Sequence, residues 1–435
     1  MKEVILQVAL DFVDLKRAIK LAEEAIKGGC DWLEAGTPLI KSCGLDSIRE
    51  LKRLFPDKTI VADMKTIDTG RLEVEIAAKA GARIVCILGI SPISTIKEAI
   101  DAAKNYGAEI MVDLMEVSDF EEKVKVLSEI GIDYFCVHTT IDEQMEGRIS
   151  FKKVEVLKQI LNKRGVDIPV AVAGGINSEN ASEAVKAGAD IIIVGGAITK
   201  SKDAVKATEE IKKAIKEKIS IKTELYRRAK SEEEIRKIFL KVSTANISDA
   251  LHRGMPISGL IPVYPVKVVG KAVTVRTYPG DWAKPVEAID IAKEGDVIVI
   301  DSGGVGPAVW GELATNSAKL KKISGVVIWG GIRDTEEIKK LKFPSWAKVI
   351  TPQAGEPKGF GEINVPINIS GIRIEPGDWI IGDEDGIIVV PKRIAVEVAN
   401  RSMDVLEKEN RIRGEILKEK STLSQVTELL KWEKK

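Results

Sequence analysis

One short junction recurs four times in the first half of the chain and constrains its fold more than any other feature. Lys27-Gly28-Gly29-Cys30-Asp31-Trp32, Lys79-Ala80-Gly81-Ala82-Arg83-Ile84, Glu129-Ile130-Gly131-Ile132-Asp133-Tyr134 and Lys186-Ala187-Gly188-Ala189-Asp190-Ile191 each end a helical stretch on glycine and open an apolar run. Glycine reaches the left-handed conformation that closes a helix, so each junction marks the same helix-to-strand step. A unit copied at this spacing is one supersecondary element repeated along the chain. The apolar runs lie at 4–10, 31–35, 59–63, 83–88, 108–113, 133–138, 168–174 and 190–195. They are near-continuous and rich in β-branched residues, as parallel strands covered on both faces must be. Eight such runs alternating with amphipathic helices predict a closed (β/α)₈ TIM barrel.

The barrel accounts for only half of the 435 residues, and one core seldom supports so long a chain. We read residues 1–215 as the barrel, 216–240 as a charged helical connector and 241–435 as a second domain. After residue 241 Pro and Gly become frequent, and strands such as 266–277 and 377–391 are separated by turns. Helical patterns at 284–292 and 307–321 make this domain mixed α/β. The closing stretch, 391–432, reads as one or two surface helices able to pack on a neighbouring subunit. Sixty-six basic side chains balance 66 acidic ones, which leaves no basic footprint for nucleic acid. No apolar run approaches membrane-spanning length, and the first residues run straight into a strand without a signal-peptide pattern. The four cysteines, Cys30, Cys43, Cys86 and Cys136, form no CxxC pair, so reduced thiols in a cytoplasmic protein are expected and zinc is not.

In a (β/α)₈ barrel, polar residues at the C-terminal ends of the strands face the active site. Strand one ends in Asp11, strand two carries Glu34, strand three ends in Asp63-Met64-Lys65, strand five in Asp113 and strand six in His138. Charges inside apolar patterns are costly unless they pair or bind metal, so five strands carrying them at one end of one barrel point to chemistry. After strands seven and eight come Gly174-Gly175 and Gly195-Gly196. Paired glycines before a helix let backbone amides approach a phosphate.

The run Ala62-Asp63-Met64-Lys65-Thr66-Ile67-Asp68 resembles the DxKxxD motif of the orotidine-monophosphate-decarboxylase superfamily. With Asp11, Glu34-Ala35-Gly36-Thr37-Pro38 and Val137-His138, residues 1–215 resemble the branch holding 3-hexulose-6-phosphate synthases and 3-keto-L-gulonate-6-phosphate decarboxylases. The resemblance implies that Glu34 and Asp63 bind Mg²⁺ (or Mn²⁺) and that Lys65 is catalytic. It also implies that Asp68 enters from a partner subunit at a dimer interface. The decarboxylases carry an Arg where this chain has Gly196 and a Glu where it has Asp113, so the resemblance favours the synthase. The implied reaction is the reversible aldol condensation of D-ribulose 5-phosphate with formaldehyde to D-arabino-hex-3-ulose 6-phosphate. In it Asp11, Lys65, Asp68, Asp113 and His138 are catalytic, and Gly174, Gly175, Gly195 and Gly196 bind phosphate. A decarboxylase barrel is the alternative.

In the second domain, Gly303-Gly304-Val305-Gly306 and the pair Arg333-Asp334 follow strands and precede helical patterns. Arg333 could hold an anion bidentately while Asp334 holds a metal; equally, Arg-Asp there could cap a helix. This half resembles ribonuclease-activity regulator A and the class II 4-hydroxy-4-methyl-2-oxoglutarate aldolases, whose domain is of swivelling β/β/α type. Glu312, Arg333, Asp334 and Glu337 match the spacing of the aldolases' acidic and Arg-Asp positions, with Gly311 and Leu313 flanking the first. The resemblance implies a metal-dependent aldolase or decarboxylase, a ribonuclease-binding regulator being the alternative. Barrel dimers combined with regulator-type trimers would give a hexamer.

Overall fold

The computed structural model describes residues 3–147 and 151–427. Its first half is a closed, all-parallel barrel of β1 (Ile5–Leu10), β2 (Trp32–Ala35), β3 (Thr59–Thr66), β4 (Ile84–Leu88), β5 (Glu109–Asp113), β6 (Tyr134–His138), β7 (Val170–Ala173) and β8 (Ile191–Val194). β8 closes on β1 in register from Ile5↔Ile191 to Val8↔Val194.

The recurring junction shows why the chain closes this way. The Asp31 carboxylate accepts from the Leu6 amide at 2.7 Å, while the Asp31 amide donates to the Leu6 carbonyl at 2.9 Å. Asp133 makes the same exchange with Ile110, and Asp190 with Val170. In the fourth copy Arg83 keeps only the amide bond, to the Ile60 carbonyl. Each Asp junction thus staples the start of one strand to its neighbour and satisfies both backbone groups of a partner residue at the barrel floor.

The barrel interior is filled from alternate strand positions: Ala9, Val61, Cys86, Met111, Cys136, Ala171, Ala173, Ile191 and Ile193. Because side chains alternate along a strand, this parity continues upward to Asp11, Glu34, Asp63, Lys65, Asp113 and His138. The charged residues are therefore the next layer above a packed apolar interior.

The second half is built on a mixed sheet. Its strands run in the order Gly386–Val390, Trp379–Asp383, Val268–Arg276, Val297–Asp301, Gly325–Ile332, Ser345–Ile350 and Ile261–Tyr264. The four strands from Val268–Arg276 to Ser345–Ile350 are parallel, and antiparallel strands flank them. Ser243 and Asn246 form a reciprocal capping box that starts the helix Thr244–Ala250.

Several sequence-based expectations give way to the structure. The compact units are Met1–Gln144 with Arg148–Arg228 and Glu407–Lys435, and Met145–Gly147 with Ala229–Leu406. The expected helical connector 216–240 is helical only at its ends, to Glu217 and again from Glu232; between Ile219 and Lys230 it is turn-like, because Lys218 takes a left-handed conformation that ends the helix Ala204–Glu217. The helical pattern at 307–321 is split: Ala308–Trp310 is a buried strand beside Gly325–Ile332, and the helix is Glu312–Leu320. The helix Ala395–Glu419 is no surface helix. Ala395, Val398, Ala399 and Met403 lie in the second unit's core, while Arg411 and Glu415 bind Glu24 and Arg17 of the first. Residues 428–432 of that stretch lie outside the described residues. No helix among the described residues is long and apolar enough to cross a membrane.

Candidate active site

The local course of β3 is what aims the barrel's charged residues. Its pairing with β4 shifts between Ala62 and Thr66, which face Val85 and Ile87, so β3 bulges across Asp63-Met64-Lys65. Lys65 sits at φ +48°, a left-handed conformation that is unfavourable for a lysine. Bulges and such dihedrals re-aim side chains where function needs them.

Around this bulge the residues interlock. The Lys65 ammonium lies 3.1 Å from the Asp63 carboxylate and 3.4 Å from Asp113 Oδ2. That same Asp113 oxygen lies 2.9 Å from His138 Nδ1. Thr37 Oγ1, at the start of the helix Thr37–Cys43, is 2.8 Å from both the Asp63 carbonyl and its Oδ2. The Gln7 amide donates to Glu34 Oε2 inside the barrel. Thr37 and Gln7 were missed as site residues by the sequence reading. Gln7 was legible in principle, as a polar residue at an inward position of an otherwise apolar strand.

The charges decide what the arrangement can do. Burial, then the charges of Asp63 and Asp11, push the Glu34 carboxyl well above the usual glutamate range, against the Gln7 hydrogen bond. Asp11 is raised by its crowded surroundings and by Asp63, although its side chain reaches the open mouth. Asp113 behaves oppositely. Burial would raise it, but the His138 hydrogen bond and charge, Lys65 and the Met115 amide hold it below the ordinary aspartate value. Lys65 loses through burial and gains more from Asp63 and Asp113, so it stays protonated. An ionised Asp113 accepts from Nδ1–H of His138, which leaves Nε2 as the basic nitrogen of the ring.

The fit to a divalent cation follows from this balance. Among the described residues no three His, Cys, Asp or Glu side chains already converge as a ligand set. The charge pattern nonetheless suits a cation: Asp11, Glu34 and Asp63 repel one another, and Lys65 offsets them only in part. Asp68 stands apart from this group; it is exposed, and its carboxylate accepts from the Thr69 amide.

The glycines expected to hold phosphate stand on the same rim. Gly174 and Gly175 have φ of +99° and +71°. A side chain at Gly174 would meet the Thr139 carbonyl at 2.2 Å, and one at Gly196 would strike the Tyr226 ring at 2.1 Å. Gly195 adjoins Asp11, 3.4 Å from where a methyl would stand.

In the second unit Arg333 and Asp334 do come together, 3.4 Å apart. Asp334 has φ +55°, and its Oδ2 accepts from the Glu312 amide at 3.2 Å, so it caps the helix Glu312–Leu320 rather than its own. A methyl on Gly311 would come within 2.5 Å of that oxygen. The Glu312 side chain turns to Asn316, Glu337 pairs with Lys340, and Leu313 is exposed. A cavity of about 510 Å³ opens elsewhere, beside Tyr278, Pro307 and Phe360. Its buried acid, Asp281, is committed to the amides of Ala283, Lys358, Gly359 and Phe360 and so fixes a loop.

Comparison with known proteins separates the two halves at the same place. Residues 5–211 match the family model described as orotidine 5'-phosphate decarboxylase / HUMPS family, and residues 244–389 match RraA-like: Aldolase/RraA. A 3-hexulose-6-phosphate synthase of Bacillus subtilis is 37% identical over 210 residues, which are 48% of this chain and 98% of that protein. The chain belongs to that synthase's family. Its second half is an RraA-like domain, so the chain is a fusion. The bifunctional enzyme Fae/Hps of Methanothrix thermoacetophila is 40% identical over 211 residues, covering 48% of this chain and 52% of that protein. The crystal structure of 3-hexulose-6-phosphate synthase from Salmonella typhimurium has 34% identity and a TM-score of 0.46, covering 50% of this chain and all of that one. By its barrel the chain is an enzyme, an aldolase-class lyase.

The buried carboxylate cluster gives a direct stability test. Because the folded protein raises Glu34, the penalty is absent below the ordinary glutamate value of 4.5 and grows as pH rises through the raised one. In metal-chelated protein, Glu34→Gln is expected to raise the unfolding temperature at pH 7–8 by about 2–4 °C. The gain should fade toward pH 4. Scanning calorimetry across that pH range checks it, and a variant less stable than the parent at pH 8 would contradict the charge balance.

Proposed function

We propose that the barrel condenses D-ribulose 5-phosphate with formaldehyde, reversibly, to D-arabino-hex-3-ulose 6-phosphate. The observation that carries this reading is the convergence of a tethered base, a protonated lysine and mutually repelling carboxylates at one barrel mouth, in a chain of the synthase's family. His138 Nε2 takes the proton from C1 of the sugar phosphate, while Asp113 holds the ring and balances the imidazolium that forms. The enediolate carbon then attacks the carbonyl of formaldehyde, and the new alkoxide takes up a proton. Lys65 opposes the negative charge that develops, which is where such a cation counts most. Glu34 and Asp63 would hold Mg²⁺ (or Mn²⁺), which when bound supplies positive charge to the sugar oxygens. Amides at Gly174, Gly175, Gly195 and Gly196 grip the phosphate. Asp11 orients the sugar, and Asp68 completes the site of a partner barrel in a cytoplasmic homo-oligomer, a hexamer if the RraA-like halves form trimers.

For the second unit the reading is a metal-dependent aldolase or decarboxylase acting on a pyruvate-like or oxaloacetate-like anion. Arg333 takes the carboxylate, aided by amides at Gly311 and Leu313, and Asp334 the metal, with Glu312 and Glu337 nearby. Two observations favour the rival reading, a non-enzymatic ribonuclease-binding regulator. Asp334 is already engaged as a helix cap, and Glu337 pairs with Lys340.

Two assays separate these readings. With ribulose 5-phosphate and Mg²⁺, the full chain is expected to consume formaldehyde; Asp63→Ala abolishes this, and Lys65→Ala lowers kcat by about 10²–10³-fold. A silent wild-type protein would shift the barrel to the 3-keto-L-gulonate-6-phosphate type of decarboxylase. For the second unit, Mg²⁺-dependent release of pyruvate from oxaloacetate is expected from the full chain and lost in Asp334→Ala. If the wild type releases none, the regulator reading stands.

A further inference from the structure

The segment 219–228 lies beyond the family-matched residues 5–211, yet it is packed into the barrel's own rim. Ile221 and Ser178 exchange hydrogen bonds, the Ile221 amide to the Ser178 carbonyl and Ser178 Oγ to the Ile221 carbonyl, both at 2.9 Å. The Thr223 amide donates to Glu179, and Asn177 Nδ2 reaches the carbonyls of Leu225 and Tyr226. Ser178, Asn177 and Glu179 all belong to the loop that follows Gly174-Gly175. The connector is therefore stitched to the loop after β7.

Tyr226 is the centre of this packing. It is 8% exposed and takes a left-handed φ of +56°. That conformation costs a non-glycine residue about 1 kcal/mol, so the surrounding contacts must hold it. The Tyr226 hydroxyl donates to Gln144 Oε1 at 3.0 Å, and Gln144 Nε2 donates to the Thr139 carbonyl at 2.8 Å. Those two groups crowd Gly174: a methyl there would lie 2.2 Å from the carbonyl and 2.9 Å from the Gln144 nitrogen. On its edge the same ring fills the space that a side chain at Gly196 would need. One tyrosine thus bears on both glycine loops, on Gly174 through Gln144 and on Gly196 directly.

The ring also gathers positive charge. The Arg228 guanidinium lies 3.9 Å from its centroid and the Lys200 ammonium 5.2 Å. Lys200 is near enough to the mouth for its charge to oppose the rise of Asp11. Cations on an aromatic face are held there by the ring's quadrupole, so Tyr226 keeps two of them beside the rim.

We propose that the segment 219–228 is a working part of the barrel's ligand end, with Tyr226 a positioning residue that sets the glycine loops after β7 and β8 for an anionic phosphate. The proposal rests on reading Gly174, Gly175, Gly195 and Gly196 as the phosphate grip. A tyrosine that merely filled a gap would alter stability and leave affinity untouched.

The test uses the full chain and three variants: Tyr226→Ala, Tyr226→Leu and Tyr226→Phe. Ribulose 5-phosphate and inorganic phosphate are titrated separately by calorimetry, thermal unfolding reports folding, and KM and kcat are measured with formaldehyde. Tyr226→Ala and Tyr226→Leu are expected to weaken both ligands about tenfold and raise KM likewise, with kcat within about threefold. Tyr226→Phe, which loses only the bond to Gln144, should change binding less. A folded Ala or Leu variant with wild-type affinity for both ligands overturns the proposal; if the Ala variant does not fold, the Leu variant decides. Should the wild type bind inorganic phosphate and not ribulose 5-phosphate, the synthase reading fails, while the variants' phosphate affinities still decide the role of Tyr226. A wild type that binds neither ligand overturns the phosphate grip and this proposal with it.

Discussion

Burial of Glu34 above the apolar interior, within reach of the charges of Asp63 and Asp11, is the constraint around which the barrel mouth is organised. A carboxylate there is expensive, and each neighbour reads as a response to it. Gln7 donates to Glu34 from below, Thr37 holds Asp63, and Lys65 draws Asp63 and Asp113 toward one cation. Asp113 can stay ionised because His138, Lys65 and the Met115 amide all favour its charged form. A divalent cation would complete the balance.

This cluster exists only because the barrel beneath it is regular. Each copy of the Asp junction fixes a strand start to its neighbour, and fixed starts set the inward parity of every residue above them. A slip of one residue in β2 would exchange Glu34 for Leu33 or Ala35 in the mouth. The floor of the barrel thus controls the chemistry at its top, through the period of two and nothing longer in range.

Much of this was legible from sequence because the signals were local. The repeated junction, the apolar runs and the charged strand ends are short patterns, and each lay within a few residues of where the structure puts it. Gln7 was overlooked because one polar residue inside an apolar run is easily read as strand. Thr37 was overlooked because its role comes from contact with Asp63, which lies on another strand. Tyr226 could not be foreseen at all. Its left-handed backbone and its packing on Gly196 depend on where residue 226 returns after the barrel has closed. The division at 406–407 was hidden for the reverse reason, since the helix Ala395–Glu419 runs through it without a break in pattern. In the second half Arg333 and Asp334 adjoin in sequence, while the use of Asp334 as a cap for the helix Glu312–Leu320 needed the tertiary structure.

On the proposed function the barrel mouth removes a proton from C1 of a pentulose phosphate. Solvent exchange tests it without formaldehyde and without calling on any activity of the second unit. Ribulose 5-phosphate is incubated with the full chain and Mg²⁺ in D₂O, and the C1 hydrogens are followed by proton NMR. The account requires stereospecific loss of one C1 hydrogen signal at a rate set by enzyme concentration, with the exchange abolished in His138→Ala. Ribulose 5-phosphate that binds yet keeps both C1 hydrogens would contradict it.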